Sequence, residues 1–357
     1  MKAVTFEGHG AVAVRDVERP RLQDPEDVLL KVSAAAICGS DVHLISDHMG
    51  PLPVGTVLGH EFVGVVEEIG PGVSRFKVGD RVVAACTTAC GECWYCLNGF
   101  HCQCQGRSAF GHGPLIGHEL PGGQAEYVRV PVAHTNLHAV PHAVSDEQAI
   151  FVGDILATAY VAVRNAAVSP GDAVAVIGCG PVGLLVIECA SLFGAAQVIA
   201  IDRVPQRLEQ AGALGARAID LGLADPVEAG RALVDGRGPD AVIDAAGGSA
   251  TLNLALELVR PRGIVSIVGV PGDPQYTFPA GPMMAKEVTV CFGLGDPRVG
   301  PRLMELIAAG RLDPAKIISH RLPLTEAVRA YELFQAREAT KVMLVPQASH
   351  LRPREDS

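Results

Sequence analysis

Residues 173–183 read AVAVIGCGPVG, five apolar residues followed by three glycines in the spacing G-x-G-x-x-G. A short, wholly apolar run is what a strand buried on both faces requires. Gly178-Cys179-Gly180-Pro181-Val182-Gly183 then opens a helix expected over Val182–Phe193. In that setting the first glycine permits a tight turn and the second lets backbone approach a pyrophosphate. The third lets helix and strand pack closely. The helix N-terminus adds unpaired N–H groups and a positive dipole end for phosphates. The segment therefore reads as a strand–turn–helix unit of a parallel sheet, and its expected ligand is a dinucleotide.

The next strand, Gln197–Ile201, ends against Asp202, 24 residues after Gly178. A carboxylate there accepts hydrogen bonds from the adenosine ribose hydroxyls and repels a 2′-phosphate, so NAD is expected over NADP. Arg203, next in sequence, could partly accommodate a phosphate. Asp202 also precedes a helix expected over Pro205–Leu214, which it could cap. Ala241–Asp244 and Ile264–Val268 continue the alternation of strands with helices. The fold class is α/β, a doubly wound parallel (Rossmann) sheet with helices on both faces.

The sheet does not account for the first ~145 residues, which read as short strands punctuated by Gly and Pro. Val28–Val32, Phe62–Val66, Arg81–Val83 and Glu126–Val130 are the candidates. After Gly293 come helices expected near Val299–Ala309 and Leu324–Phe334, a strand near Lys341–Val345, and a polar tail from Gln347 expected to be mobile. A chain of 357 residues suggests about two domains. The expected division is 1–153 with 295–357 as one mainly-β domain, and 154–294 as the dinucleotide-binding domain.

No apolar run approaches the ~20 residues of a membrane span, and the N-terminus lacks a secretion-signal pattern. A cytoplasmic location is expected. The net charge of −10 excludes nucleic acid and anionic membrane as partners, since both need clustered Lys and Arg.

Five of the ten cysteines lie in CGECWYCLNGFHCQC, residues 90–104. Disulfides are rare where thiols stay reduced, and a redox site needs one exposed pair rather than a cluster. Cys90, Cys93 and Cys96, with either Cys102 or Cys104, can close a tetrahedral thiolate shell around zinc, a structural site with no free position. Upstream, Cys38-Gly39-Ser40-Asp41-Val42-His43 and Gly59-His60-Glu61 bring a thiol, imidazoles and carboxylates together. Taken singly, each is an ordinary core or loop residue. Together they resemble a metal site that keeps an open position. Gly117-His118-Glu119 repeats the GHE triplet without a cysteine at matching spacing and reads as coincidence.

These motifs, with GHEFVGVVEEIGPGVSRFKVGDRV (59–82) and GCGPVG, resemble the zinc-containing medium-chain dehydrogenases, the alcohol dehydrogenase family, over nearly the whole chain. The resemblance implies a GroES-like catalytic domain with a partly open β-barrel, NAD and two zinc ions, and substrate entering between the domains. It favours Cys104 as the fourth structural ligand. It assigns the catalytic zinc to Cys38, His60 and a third ligand at Asp154, four residues before Thr158, with Glu61 beside the metal as an alternate ligand. Asp41 is expected to fix the His60 ring. Ser40 and His43 stand at the spacing of the family's proton relay, which runs through the nicotinamide ribose. Thr158 and Val268-Gly269-Val270 stand where the family lines the nicotinamide. Arg207 matches a basic residue near the adenosine ribose, and Lys341 one near zinc and pyrophosphate.

The implied activity is hydride transfer between an alcohol and NAD, giving an aldehyde or ketone. An Asp ligand is also found in glutathione-independent formaldehyde dehydrogenase and dismutase, which retain NAD, although this chain lacks their long cofactor-covering loop. A non-catalytic zinc- and nucleotide-binding protein is the third alternative, disfavoured by the relay residues. Cys86, His48 and Met49 are candidate pocket residues. Relatives are usually homo-oligomers, tetramers or dimers.

Overall fold

The computed structural model describes residues 1–46, 48–270 and 275–346; the tail from Gln347 lies outside the described residues. The chain divides into two compact units, Met1–Asp154 with 296–357, and Ile155–Gly295, each boundary one residue later than expected.

The first unit is mainly β. Strands β1 (Lys2–Gly8) and β2 (Ala11–Asp16) form a separate hairpin. Then come β3 (Val28–Ala36), β4 (Glu61–Ile69), β5 (Arg81–Ala84), β6 (Tyr127–Val130) and β7 (Leu137–Ala139). The second unit holds β8 (Ala173–Ile177), β9 (Gln197–Asp202), β10 (Arg217–Asp220), β11 (Ala241–Asp244), β12 (Ile264–Ile267) and β13 (Thr289–Phe292). Back in the first unit, β14 (His320–Pro323) and β15 (Val342–Val345) complete a sheet ordered β14-β15-β3-β4-β5-β7, with β6 also pairing β3. Val28, Leu30, Phe62, Val82 and Phe110 belong to its buried interior, Phe62 and Phe110 meeting edge to face at 4.9 Å.

The second unit is a six-stranded parallel sheet ordered β10-β9-β8-β11-β12-β13. The order reverses beside β8, the strand that carries the Gly-rich turn, and in such sheets ligands bind outside the strand ends at the reversal. All five residues of β8 are buried, as its unbroken apolar run requires.

Three of the strands expected in the first unit run longer than suggested, β3 by four residues, β4 by one residue before and three after and β5 by one, whereas β6 and β15 each begin one residue later than expected. Small residues such as Ala34 to Ala36 pair in a sheet whenever neighbouring strands supply the ladder. The expected helices at 299–309 and 324–334 begin as single 3-10 turns, Pro297–Val299 and Leu324–Glu326, before the α-helices Gly300–Ala308 and Ala327–Gln335. Among the described residues, no helix is long and apolar enough to cross a membrane.

Candidate functional site

Three strand ends converge in the first unit. β3 and β4 are antiparallel with Ala36 opposite Glu61, and β15 pairs β3 with Met343 opposite Ala36. Just past β3, Cys38 stands before the helix Gly39–Ile45, its N–H donated to Asp41 Oδ2 at 2.9 Å. His60 immediately precedes β4 and Lys341 immediately precedes β15. Asp154 arrives from a fourth direction. The backbone at Gly153 passes so close to β5 that a Cβ there would sit 1.9 Å from the Ala84 carbonyl oxygen. Its own carbonyl accepts the Cys86 N–H at 3.0 Å.

The consequence is a cluster in which one donor atom each from Cys38, His60, Glu61 and Asp154 lies within 4.8 Å of the others. His60 Nε2 is 3.3 Å from Asp154 Oδ2, and Cys38 Sγ is 3.8 Å from the same oxygen. Tetrahedral zinc with bonds of about 2.0–2.3 Å separates its ligand atoms by about 3.3–3.8 Å, so this donor set fits zinc as it stands. The buried His60 ring has its Nδ1 3.1 Å from Asp41 Oδ1, at ion-pair distance but outside hydrogen-bond alignment. Asp41 is itself anchored by Gln124 Nε2 at 3.2 Å, and Gln124 Oε1 accepts the Tyr331 hydroxyl at 2.9 Å. Ser40 Oγ lies 3.2 Å from His60 Nε2, at the edge of the cluster.

Electrostatics match a site built for a cation. Burial opposes charge on His60, yet the anionic groups of Asp41, Cys38 and Asp154 outweigh it and hold the ring well above its ordinary value. Burial raises Asp154 as well, but the hydrogen bond and charge of His60 win and leave it at about 2. Burial drives Glu61 up to about 7 against the pull of Lys341. Lys341 is fully buried, its Nζ 2.7 Å from the Glu61 carboxylate. It belongs to the cluster in the first unit.

Of two neighbours of the cluster, His112 was not singled out by sequence and Cys86 was expected only as a pocket residue. His112 is buried with its ring edge-on to His60 at 5.2 Å, and its Nδ1 donates to the Phe110 carbonyl at 2.8 Å. Cys86, half-buried, lies beside Asp154, and burial followed by the Asp154 charge raises its thiol well above the ordinary range. Their only sequence signal was position, Cys86 just before the cysteine-rich lobe and His112 just after it.

In that lobe the sulfurs of Cys90, Cys93, Cys96 and Cys104 form the second cluster. Cys93–Cys96 is 3.6 Å, Cys90–Cys104 3.5 Å, Cys90–Cys96 3.9 Å and Cys93–Cys104 4.0 Å. Vertices about 3.8 Å apart are those of a tetrahedron with Zn–S of about 2.3 Å. Backbone N–H groups of Gln105 and Cys96 lower the Cys93 thiol to about 6, favouring the thiolate that binds metal. Cys102 is outside this group, and none of the ten cysteines forms a disulfide. The second GHE triplet, His118 and Glu119, lies exposed in a loop and belongs to neither cluster.

The second unit carries the Gly-rich turn. A Cβ on Gly183 would sit 1.8 Å from the Gly178 carbonyl oxygen, so only glycine closes this turn. Around Gly180 there is open space, and the nearest atom to a Cβ added there would be an Arg207 guanidinium nitrogen at 4.0 Å. Pro181 and Val182 start the helix Pro181–Leu192. Asp202, at the end of β9, accepts backbone N–H groups from Cys179 at 2.7 Å, Arg203 at 2.6 Å and Val204 at 3.0 Å. It thus ties the Gly-rich turn to the end of β9 and holds the two residues before the next helix, whose N-cap is Val204 without a side-chain cap, so the capping role expected as its alternative is not what Asp202 performs. Arg207 Nη1 is 4.0 Å from the Asp202 carboxylate, whereas Arg203 is exposed. Thr158 is half-buried on the helix Ile155–Asn165. Val268 and Gly269 donate to the Asp244 carbonyl at 2.9 and 3.0 Å, and Val270 is exposed.

Residues 24–142 match the alcohol dehydrogenase GroES-like domain family, and residues 181–309 the zinc-binding dehydrogenase family. A zinc-type alcohol dehydrogenase-like protein of Bacillus subtilis is 36% identical, covering 97% of this chain and 100% of its own length. The solved alcohol dehydrogenase TADH from Thermus sp. ATN1 is 48% identical with a TM-score of 0.93, covering 97% of this chain and 99% of its own. Two further structures cover 97% of this chain and 99% of their own. One is a zinc-binding dehydrogenase from Sinorhizobium meliloti bound to NADP, 32% identical with a TM-score of 0.86. The other is an alcohol dehydrogenase from Escherichia coli CFT073 complexed with NADH, 28% identical with a TM-score of 0.86.

Proposed function

Because the chain belongs to the zinc-binding, GroES-like alcohol dehydrogenase family, we propose that it is an NAD-dependent alcohol dehydrogenase, interconverting an alcohol with an aldehyde or ketone. The observation that carries this reading is the Cys38–His60–Asp154 cluster, a three-residue donor set with Ser40 at its edge. Sites that hold zinc with three protein ligands keep a position for substrate. Glu61, held by Lys341, is the fourth group of that cluster. Zinc bound there supplies a Lewis acid for the substrate oxygen, and NAD supplies the hydride acceptor.

The chain's own residues do the rest. Asp41 orients the His60 ring, and the buried tier of Gln124 and Tyr331 holds Asp41 in turn. Ser40 takes the hydroxyl proton of the substrate, and the half-buried His43 returns it to solvent. The Gly-rich turn and the helix Pro181–Leu192 bind the pyrophosphate, and the Asp202 carboxylate disfavours a 2′-phosphate. The four-cysteine lobe holds a second, structural zinc.

The reading is tested by assaying the zinc-replete protein with a panel of alcohols and with formaldehyde, each with and without added NAD. Turnover of alcohols only with added NAD supports it. Conversion of formaldehyde without added NAD would instead mark a retained cofactor.

A further inference from the structure

Just past the helix that carries Ser40 and His43, His48 turns its ring toward His43, the two planes tilted by 53°. His43 Nδ1 lies 3.4 Å from His48 Nδ1, with ring centroids 5.6 Å apart. The arrangement is braced by the backbone, because the His48 N–H donates to the His43 carbonyl at 3.0 Å and the Ser46 N–H to the Val42 carbonyl at 3.2 Å. His43 is half-buried and His48 is exposed. Each ring places the same kind of nitrogen toward the other. Two Nδ1 lone pairs would repel, and two Nδ1 protons would clash, so the contact is favourable only when one Nδ1 carries a proton and the other does not. Burial, together with the charge of His48, holds His43 below the ordinary imidazole value, so the pair resists taking a second proton.

We propose that His48 is the outlet of the proton path, a second imidazole that carries the proton from His43 to bulk water. This rests on the alcohol dehydrogenase reading above. His43 begins with a proton on Nδ1 and a lone pair on Nε2, and His48 with a lone pair on Nδ1 and a proton on Nε2. A proton arriving at His43 Nε2 is matched by transfer of the Nδ1 proton to His48 Nδ1 and by loss of the His48 Nε2 proton to water. One proton enters, one leaves, and neither ring gains net charge. The pair resets when both rings return to their starting tautomers by proton exchange with water, His43 from Nε2–H to Nδ1–H and His48 from Nδ1–H to Nε2–H, with no net proton moved, and reduction of the carbonyl runs the path in reverse. His48 touches none of the reacting atoms and acts only through His43.

The test uses zinc-replete full-length protein with NAD and an alcohol that the wild type turns over, in a weakly buffering medium. His48→Ala is expected to lower kcat about tenfold, less than the roughly 10²–10⁴-fold of a direct acid–base group, with KM for NAD unchanged. Added imidazole should restore kcat in His48→Ala and leave the wild type unaffected. Unchanged kcat in His48→Ala, or a loss that imidazole does not repair, overturns the proposal. A second readout does not depend on turnover. In ¹⁵N-histidine NMR of the wild type, one ring of the pair should be the Nδ1–H tautomer and the other Nε2–H, and His48→Gln should alter the His43 signals. Both rings in the Nε2–H form would overturn the proposal even in active protein. If the wild type turns over no alcohol, the alcohol dehydrogenase reading fails by itself, and the NMR result still decides whether the two rings share a proton.

Discussion

Lys341 Nζ stands 2.7 Å from the Glu61 carboxylate, and both side chains are completely excluded from solvent. The two residues are 280 positions apart in sequence and meet because β15 and β4 flank β3. A buried ion pair gives little net stability, but removing one partner strands the other charge, at a cost of about 3–5 kcal/mol. Lys341→Met should therefore lower the free energy of unfolding by about that amount. Adding Glu61→Gln in the same chain should recover most of the loss. Denaturant unfolding of the single and double variants measures the coupling, and simple additivity would show that the pair is not coupled.

The sulfur geometry separates two cysteines that the sequence spacing could not. Cys104→Ser should remove one zinc per chain and destabilise the lobe, whereas Cys102→Ser should leave the metal content unchanged. Metal analysis of the purified variants decides between them. Loss of zinc from Cys102→Ser would overturn the assignment.

Asp202 ties the Gly-rich turn to β9, and on the reading proposed above it also selects the cofactor. Asp202→Ser removes the negative charge facing a 2′-phosphate, so the ratio of kcat/KM for NAD to that for NADP should fall. It also releases the backbone N–H groups of Cys179, Arg203 and Val204, so affinity for NAD should fall too. Steady-state kinetics with both cofactors test this, and an unchanged ratio would remove Asp202 from cofactor selection.

His138 predicts an acid sensitivity that involves no member of either ligand cluster. It is buried on β7, neither ring nitrogen has a well-aligned partner, and burial and the charge of Arg75 hold it down at about 4. The unfolded chain, with an imidazole at about 6.5, binds more protons than the folded one between those values. Stability from this group is therefore complete above pH 6.5 and is lost as pH falls toward 4, by about 3 kcal/mol in all. His138→Asn should flatten the pH dependence of unfolding in that window. An equal slope in both proteins would contradict the origin given.

The two motifs with fixed local spacing were legible in sequence because their geometry is local. Gly178, Gly180 and Gly183 serve one turn, and Cys90, Cys93 and Cys96 lie on one short loop. Asp202 was legible as the acid closing the next strand, although its hydrogen bonds to the Gly-rich turn were not. β10 and β13, and the helices Pro226–Ala232, Ser249–Leu258 and Ala280–Lys286, carry weaker patterns. The sheet supplies the edges on which β10 and β13 form, so tertiary pairing rather than local propensity defines them. Asp41, Ser40 and Asp154 beside His60 were legible through the family resemblance, but three more distant supports of that region were not. His112, Gln124 and Tyr331 reach that region only through the fold, and no spacing rule links residue 60 to residue 331.

The central claim is that Asp154 completes a zinc site on which alcohol oxidation depends. The most direct measurement counts zinc per chain in wild type and Asp154→Ala, and on the same samples follows NADH formation from an alcohol that the wild type oxidises. The expected result is two zinc ions and NAD-dependent turnover in the wild type, against one zinc ion and loss of turnover in the variant. Equal zinc content and equal turnover in the two proteins would contradict the account.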